Sequence, residues 1–373
     1  MLAVALAVEF ADELVDGVKG AALPAIQHSL RLDYSQLGLL GSVPLVLGGA
    51  FELPLGLLAG QGRRRRTAIL GGGVLFVFAV AGAALARNFT EMLAAFVVFY
   101  PASGAFVALT QASLMDADPD RQAHSMARWD LAGSAGAVAG PLLLVAVLGA
   151  GGGWRGGFLA LAGLSALTWF GVVFSRTAPA AGAGDGERVP RLREVITAAR
   201  AASRWLVLLE VSNLLGDVLT GFVAVYLVNV LHTTPAVAAL AVAIRLGAGL
   251  AGDAALVLVL ERIDDKVVLR ATAGAAIVLY PAFLLVPGVV PRLAVLAALS
   301  AATAPWYPLL QARLYGTAPS PVAVTLTSAA AMAGGLGPLV VGVLAQVFGL
   351  PWALAGLSVV PALVLVGVSR SRR

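Results

Sequence analysis

Residues 9–20 read EFADELVDGVKG, and residues 210–221 read EVSNLLGDVLTG. An offset of 201 residues aligns Glu9 with Glu210, Asp12 with Asn213, Asp16 with Asp217, Gly20 with Gly221 and, further along, Glu52 with Asp253. Acidic residues occupy only 20 of the 373 positions, so three acid-on-acid matches exceed what chance would give. The chain therefore contains an internal duplication with a period of about half its length.

The composition around these two segments is typical of a membrane protein. Hydrophobic residues make up 60% of the chain and charged residues 12%, about half the charged share of a soluble domain. A transmembrane helix needs about 20 apolar residues, and twelve such spans are predicted near residues 2–29, 36–60, 67–87, 91–115, 127–149, 157–175, 204–231, 236–260, 267–287, 292–315, 322–347 and 350–368. The predicted fold is an all-α polytopic membrane protein with two pseudo-symmetric six-helix halves.

The distribution of charge predicts the domain boundaries and the topology. We predict an N-terminal half over residues 1–175, a cytoplasmic linker over 176–203 and a C-terminal half over 204–373. Most of the 25 basic residues lie on the linker's side of the spans, so the positive-inside rule places both termini in the cytoplasm of a multi-pass protein of the cell membrane. The basic pI of about 10.0 follows from this topology, and we predict no nucleic-acid partner. The first span lacks a basic leader and a cleavage site, so we expect it to be retained.

Two absences from the sequence exclude several classes of chemistry. The chain contains no cysteine, which excludes disulfides, zinc–thiolate sites, iron–sulfur clusters and cysteine nucleophiles. It also lacks the GxxxxGK[ST] loop that binds nucleotide phosphates. Together with the membrane composition, these absences predict a protein that is not an enzyme and needs no cofactor. Its energy source is then predicted to be a gradient of protons or another cation.

Charged side chains within the first predicted span define the candidate site. Four carboxylates share one arc of about 100° on a helix: Glu9, Asp12, Glu13 and Asp16, with Lys19 at the edge. Each charge facing lipid would cost roughly 2.5–3.5 kcal/mol. We therefore expect these acids to face a cavity, to pair with a cation or to be protonated.

The second half repeats this arc with Glu210, Asn213 and Asp217. Asp16 and Asp217 lie about halfway along their spans, so both are predicted near the membrane midplane, and Glu9 and Glu210 lie about 10 Å nearer the cytoplasm. Burial and neighbouring like charges favour the protonated form of a carboxylate, so these acids could bind a cation or exchange protons. Alternatively, several of them are counter-ions, helix caps or gate contacts.

Further polar residues are predicted as gates or as cavity lining. Lys19 and Arg245 are interpreted as counter-ions, and Glu52 and Asp253 as gate or structural residues near the cytoplasmic ends of their spans. An inner-gate network of ion pairs is predicted among Arg63, Arg64, Arg121, Arg128 and Asp130. Possible cavity-lining residues are Gln111, Gln311, Tyr100, Trp306 and Tyr307, with interhelical hydrogen bonding or packing as the alternative.

Three segments resemble the major facilitator superfamily. They are GLLAGQGRRRR at residues 56–66, GSAGAVAGP at 133–141 and GWRGGF at 153–158. The chain departs from the family pattern at Gly60, where an Asp is usual, and in the basic residue absent from residues 100–104. The resemblance implies that spans 1, 4, 7 and 10 line a central cavity, where Asp16 and Asp217 would face each other, and that Glu52 and Asp253 border the interface between the halves.

The leading functional hypothesis is a secondary transporter that works by alternating access as a monomer in the lipid bilayer. Its predicted substrate is a small cationic or zwitterionic organic solute, exported in a proton-coupled step; the direction is inferred from the Gly-Pro pairs of spans 5 and 11. One alternative is a divalent metal transporter for a hard ion, with Asp16, Asp217 and Asn213 as ligands. A minor alternative is an intramembrane aspartyl hydrolase that uses Asp16 and Asp217.

Overall fold

The computed structural model describes residues 2–58, 62–117, 122–175, 192–315 and 332–369, together with residues 317, 326 and 330. The predicted gate residue Arg121 lies outside the described residues, and so does the side chain of Glu52. All regular structure in the described residues is helical. The predicted all-α class is therefore confirmed.

The N-terminal half contains six helices, which follow the predicted spans closely. They are α1 (Leu2–Leu30), α2 (Tyr34–Leu58), α3 (Gly62–Leu85), α4 (Phe89–Ala117), α5 (Gln122–Gly149) and α6 (Trp154–Phe174). Within α4, Pro101 is followed by a π-helical turn over Gly104–Ala108.

The C-terminal half repeats this order. Its helices are α7 (Leu192–Asn229), α8 (Pro235–Leu260), α9 (Asp265–Leu285), α10 (Val289–Thr303, continued by Trp306–Tyr315), α11 (Gly337–Phe348) and α12 (Leu350–Gly356, continued by Val359–Ser369). Ten of the helices in the described chain are long and apolar enough to cross a membrane; α1, which carries five charged residues, and α11 are outside this set.

The C-terminal part of the predicted linker belongs to α7. The prediction ran from residue 176 to 203, whereas α7 begins at Leu192. Residues 192–203 are rich in Ala, Arg, Leu and Glu, which are good helix formers. Helix propensity therefore extends α7 beyond the apolar span from which its start was predicted.

One side of α1 consists of apolar and small residues, and it packs against the rest of the N-terminal half. Val8, Val15, Val18 and Ile26 are buried in the core of the N-terminal half. A Cβ added to Gly17 would lie 2.5 Å from the backbone oxygen of Ala137 in α5. The two helices therefore touch backbone to backbone at this point.

The side of the membrane on which α6 ends and α7 begins is called the linker side below. Arg66, at the start of α3, donates hydrogen bonds there to the carbonyls of Val173 (3.1 Å) and Ser175 (3.3 Å) at the end of α6. The start of α3 and the end of α6 therefore share one side, as the alternation of helices requires.

The two halves meet through α2 against α11, α5 against α8, and α1 against α7 and α8. On the side opposite the linker side, Asn229 donates hydrogen bonds to Gln27 (2.8 Å) and to the Tyr34 hydroxyl (3.3 Å). The backbone N–H of Tyr34 donates to Gln346 (3.1 Å). These contacts join α1, α2, α7 and α11 at that side of the molecule.

Candidate functional site

Two adjoining cavities lie between the halves. One has a volume of about 350 Å³ and is bordered mainly by α1, α2, α4 and α7. The other has a volume of about 310 Å³ and is bordered by α5, α7, α8 and α10. Ala137, Asp217 and Leu246 line both of them, so we treat the two as one central cavity. The charged and tyrosine side chains on its walls are Glu13, Asp16, Lys19, Tyr100, Asp217, Arg245, Asp253 and Tyr307.

Lys19 joins α1 to α4 on the N-terminal wall of the cavity. Its ammonium forms an ion pair with Asp16, one turn earlier on the same helix, and donates a hydrogen bond to the Tyr100 hydroxyl (2.8 Å). The same nitrogen lies 4.8 Å from the centre of the Tyr100 ring, within the range of a cation–π interaction. Gly48 of α2 leaves room for this ring, since a Cβ there would lie 2.7 Å from the Tyr100 Cβ. Lys19 is therefore a counter-ion held by two partners.

Asp12 is directed at α4 rather than at the cavity. The Ser103 hydroxyl donates a hydrogen bond of 2.9 Å to its carboxylate. Ser103 immediately precedes the π-helical turn, and such turns are frequent at functional sites. Of the four carboxylates predicted on the arc of α1, Glu13 and Asp16 line the central cavity, while Asp12 makes an interhelical contact.

Asp217 and Arg245 form the charged part of the C-terminal wall. Asp217 is exposed to the cavity and lies within electrostatic range of both Arg245 and Lys19. Arg245 donates one hydrogen bond, of 2.7 Å, to the backbone carbonyl of Gly216. Among the residues that the structure describes, no carboxylate lies within 4.0 Å of this guanidinium. Arg245 is therefore near a negative charge without being bound to one.

Glu9 and Glu210 occupy matching places, Glu9 against a glycine of α5 and Glu210 against a glycine just before α11. A Cβ added to Gly133 of α5 would lie 2.6 Å from a carboxylate oxygen of Glu9, and one added to Gly334, just before α11, would collide with Glu210. The two glycines are 201 residues apart, like the two glutamates. One oxygen of Glu210 is buried and has no hydrogen-bond partner among the described residues.

The predicted aromatic and amide residues divide into two groups. Asn213 and Tyr307 line the central cavity, and Tyr307 accepts a hydrogen bond of 3.2 Å from Gln311. Trp306 also borders the cavity, but it is 1% exposed and donates to Thr272 (3.1 Å), so its contribution is mainly packing. Gln111, whose amide contacts the sulfur of Met126 at 3.5 Å, and Gln311 are not among the residues that line the cavity.

The structure describes four of the five residues of the predicted inner-gate network, and Arg121 lies outside them. Arg63, Arg64, Arg128 and Asp130 are all exposed and make no ion pair with one another. Asp253 lies exposed at the linker-side end of the cavity, without a salt bridge in the described chain. In the described residues, these linker-side charges form no ion pair between the halves, whereas hydrogen bonds join the halves on the opposite side.

Two other ion pairs hold the linker-side ends of the helices. Arg65 at the start of α3 pairs with Asp116 at the end of α4, and Asp265 at the start of α9 pairs with Arg313 at the end of α10. These helices correspond in the two halves, but the signs of the charges are exchanged. The four-arginine run and the aspartates after residue 115 could have signalled the first pair, whereas nothing in the sequence selects Arg65 from its neighbours.

Small hydroxyl residues on the cavity wall were missed by the sequence analysis. Ser134 of α5, Ser212 and Thr220 of α7, and Ser300 and Thr303 of α10 all line it. Ser212, Ser300 and Thr303 donate to carbonyls of their own helices, which leaves their oxygens as acceptors. Such residues interrupt no apolar run, so the hydropathy pattern gives no sign of them.

The donor set of the cavity is a poor fit for a metal ion. Within the described residues, no group of three or more His, Cys, Asp or Glu side chains is arranged to hold one. The carboxylate of Asp16 is occupied by Lys19, and a guanidinium lies near Asp217. Fixed positive charges beside both acids would repel a dication.

Comparisons with known proteins agree with the architecture. The family model of the Major Facilitator Superfamily matches residues 6–342. Among solved structures, the chain is similar to a bacterial homologue of the human lysosomal transporter Spinster in an inward-facing, unoccupied conformation, with 16% identity, a TM-score of 0.81 and coverage of 99% of this chain and 96% of that one.

Two further structures show the same fold at low sequence identity. The nucleoside transporter NupG has 13% identity and a TM-score of 0.73, with 99% of this chain and 100% of that chain covered. A D-xylose–proton symporter has 14% identity and a TM-score of 0.74, with 98% and 95% covered. A search among curated proteins finds no match.

Proposed function

Because the chain belongs to the Major Facilitator Superfamily, we propose that it exchanges protons for a small zwitterionic organic solute and moves that solute out of the cytoplasm. The chain is a multi-pass membrane transporter rather than an enzyme, so an intramembrane aspartyl hydrolase is excluded. The substrate, the coupling and the direction are the proposed part.

The observation that carries the proposal is the unpaired arginine beside an exposed aspartate on one wall of the cavity. Within the described part of the chain Arg245 donates only to a backbone carbonyl, so its guanidinium can bind a carboxylate of the solute in bidentate fashion. Asp217 is open to the cavity and can accept an ammonium group. A purely cationic solute would meet an unfavourable charge at Arg245, which favours the zwitterion between the two classes considered from the sequence.

Competition at Asp217 supports proton exchange as the coupling. One carboxylate cannot hold a proton and an ammonium group at the same time, so the arrival of one releases the other. Alternating access then converts this competition into antiport. Export is further supported by the Gly-Pro pairs Gly140-Pro141 and Gly337-Pro338, by resemblance to antiporters of the family.

A divalent metal ion is the weaker candidate for the cargo. It would need Asp16, Asp217 and Asn213 as oxygen ligands, and Lys19 already occupies the first of these. Arg245 adds a fixed positive charge beside the second. The same charges hold an organic zwitterion well, because it offers a negative group to Arg245.

The proposed orientation places the linker side in the cytoplasm. The arginines at the start of α3, and Arg262, Lys266 and Arg270 around the start of α9, all lie on this side, in agreement with the positive-inside rule. Two six-helix halves enclose the central cavity within a single chain, which supports a monomer as the functional unit.

The proposal can be tested in liposomes that contain a pH-sensitive dye. A panel of amino acids and other zwitterionic amines is applied, each beside its methyl ester, which keeps the ammonium group and removes the carboxylate. We expect at least one zwitterion to drive proton movement that Asp217→Asn abolishes. Arg245→Gln should weaken the zwitterion about tenfold relative to its ester, as expected for a lost charge-assisted hydrogen bond.

Matched control variants remove one charge of the same sign at residues that do not line the cavity. Glu261→Gln removes an exposed carboxylate at the end of α8, and Arg200→Gln removes an exposed guanidinium on α7. Both variants should transport like the parent protein. Proton movement driven by Mn²⁺ and insensitive to Arg245→Gln would instead favour the metal alternative.

A further inference from the structure

A cavity of about 400 Å³ lies on the outer surface of the C-terminal half, between α8, α9 and α10. It shares no lining residue with the central cavity. We call it the lateral groove and define it by Ala251, Ala255, Ile263, Val267, Ala271 and Ala301. The first five of these are exposed, so the groove opens outward, toward the bilayer.

The lateral groove offers almost nothing to a polar occupant. Thr272 is its one polar lining residue, and the hydroxyl is already used: it donates to the carbonyl of Val268 (2.8 Å) and accepts from the indole of Trp306 (3.1 Å). Small side chains on three helices leave a furrow that hydrocarbon can fill. In a bilayer the available hydrocarbon is an acyl chain.

Cationic side chains stand at the linker-side end of the lateral groove. Arg262 is adjacent to Ile263, and Arg270 is adjacent to Ala271 on the exposed side of α9. Both arginines are exposed, and neither side chain makes a hydrogen bond or ion pair within the described part of the chain. An arginine on the outer face of a transmembrane helix is costly unless it reaches the headgroup region.

The acidic residues at this end are largely committed elsewhere. Asp265 is paired with Arg313. Asp264 accepts the backbone N–H of Lys266 (2.8 Å) and caps α9, and that hydrogen bond holds the pKa of its carboxyl below the usual range. Glu261 is exposed at the end of α8. Together with Lys266, the two unpaired arginines leave this end of the groove suited to a negative group.

We propose that the lateral groove binds an anionic phospholipid from the linker-side leaflet. One acyl chain lies between α8, α9 and α10, and the phosphate contacts Arg270 and Arg262. Basic pockets between helices at a membrane surface are suited to anionic headgroups. The groove supplies the apolar contact that makes such binding local rather than a general attraction to the charged surface.

The test is lipid retention by the purified, delipidated full-length protein. Dioleoyl phosphatidylglycerol or dioleoyl phosphatidylcholine is added, and bound lipid is counted by native mass spectrometry. We expect one phosphatidylglycerol to be retained in preference to phosphatidylcholine. Arg270→Gln should weaken retention about fivefold, and Ala255→Trp, which fills the groove, should remove most of it.

Two control variants change equivalent chemistry outside the groove. Val257→Trp enlarges an exposed residue of α8 that does not line it, and Arg63→Gln removes an exposed linker-side arginine of the other half. Both should retain lipid like the parent protein. Ala251→Phe is a second filling variant should Ala255→Trp unfold, as judged by its melting temperature.

Three results would overturn the assignment. If Ala255→Trp and Val257→Trp retain lipid equally, the lipid does not lie in the lateral groove. If Arg270→Gln and Arg63→Gln retain lipid equally, the phosphate does not contact Arg270. Equal retention of the two lipids would remove the anionic class. Transport is not the readout, so the result is independent of the function proposed above.

Discussion

Lys19 decides how the charges of α1 are tolerated inside the membrane. It neutralises Asp16 directly and hydrogen-bonds to Tyr100, while Asp12 is held by Ser103. Each of these acids therefore has a partner of its own. Glu13 lines the cavity and has no ion-pair partner in the described chain.

Replacing Lys19 alone should lower the stability of the protein more than replacing Lys19 and Asp16 together. Lys19→Ala leaves Asp16 without its counter-ion and removes the hydrogen bond to Tyr100, so we expect the protein to lose about 1–3 kcal/mol of stability. The double variant Lys19→Met with Asp16→Asn should unfold closer to the parent protein, because no uncompensated charge remains. Thermal unfolding in detergent measures both.

The Lys266→Met variant, at a half-buried lysine near the start of α9, serves as the control for the loss of a lysine and should unfold like the parent protein. A double variant that is less stable than Lys19→Ala would contradict the assignment of Lys19 as a counter-ion. It would indicate that the side chain stabilises the fold through packing.

Two arginines on the side opposite the linker act as caps of corresponding helices. Arg155 donates to the carbonyl of Ala86 (2.6 Å) just beyond the end of α3, and Arg292, which is 6% exposed, donates to the carbonyl of Val286 (3.1 Å from Nε) just beyond the end of α9. The carboxyl end of a helix carries partial negative charge. These cations are therefore compensated locally by the helix ends.

At the level of the helix, the contact between α1 and α5 depends on glycines that meet different kinds of atoms. A Cβ on Gly133 would meet the end of the Glu9 side chain, which can move aside. A Cβ on Gly136 would meet the backbone oxygen of Phe10, which cannot move without shifting α1. The repeat places Gly334 and Gly337 in the corresponding positions of the second half.

These contacts predict an order of stabilities. Gly136→Ala should destabilise the protein by about 1–3 kcal/mol through overpacking. Gly133→Ala should cost less, and so should Gly337→Ala, whose Cβ would meet the flexible Leu214 side chain instead of backbone. Melting temperatures of the three variants test this order. A melting temperature of Gly136→Ala at or above that of Gly133→Ala would contradict the backbone contact.

The exchanged ion pairs at the linker-side helix ends allow a charge-swap experiment. Arg313→Asp places two aspartates together between the start of α9 and the end of α10, so we expect it to be destabilised. Adding Asp265→Arg restores opposite charges. The rescue should be incomplete, because a cation in the first turn of α9 faces the positive end of the helix, at a cost of about 0.3–1 kcal/mol.

Thermal unfolding of the two single variants and the double variant gives the coupling energy. Asp264 remains in place throughout and caps α9 in all of them. Additive effects of the two substitutions would show that the pair is not formed in the membrane-embedded protein. A double variant more stable than either single variant supports the pair.

At the scale of the whole molecule, the duplication and the cost of charge in lipid were enough to predict the fold and to select the intramembrane carboxylates as candidate site residues. Both features are visible in the sequence, as runs of apolar residues and as a constant offset between the two repeats. Which acid faces the cavity depends on helix rotation, and the partners of Asp12 and Asp16 come from α4 and from a single lysine. Arg65, selected from four consecutive arginines by its position at the start of α3, and the cavity serines leave no pattern of this kind.

The halves are joined on the side opposite the linker, where Gln27 and Asn229 from α1 and α7 meet at 2.8 Å. Alternating access requires this contact to open when the cavity faces that side. The chain contains no cysteine, so cysteines introduced here are the only thiols that can react.

Gln27→Cys with Asn229→Cys should therefore lock the transporter. A short bifunctional thiol reagent is expected to cross-link the pair, abolish the proposed proton-coupled transport in liposomes and leave the central cavity accessible to solutes from the linker side. A cleavable reagent should restore transport after reduction, and each single-cysteine variant treated in the same way should remain active. Transport by the cross-linked double variant at the parent rate would show that α1 and α7 do not separate on this side during the cycle. Separation of the two halves would then not be what opens the cavity on this side.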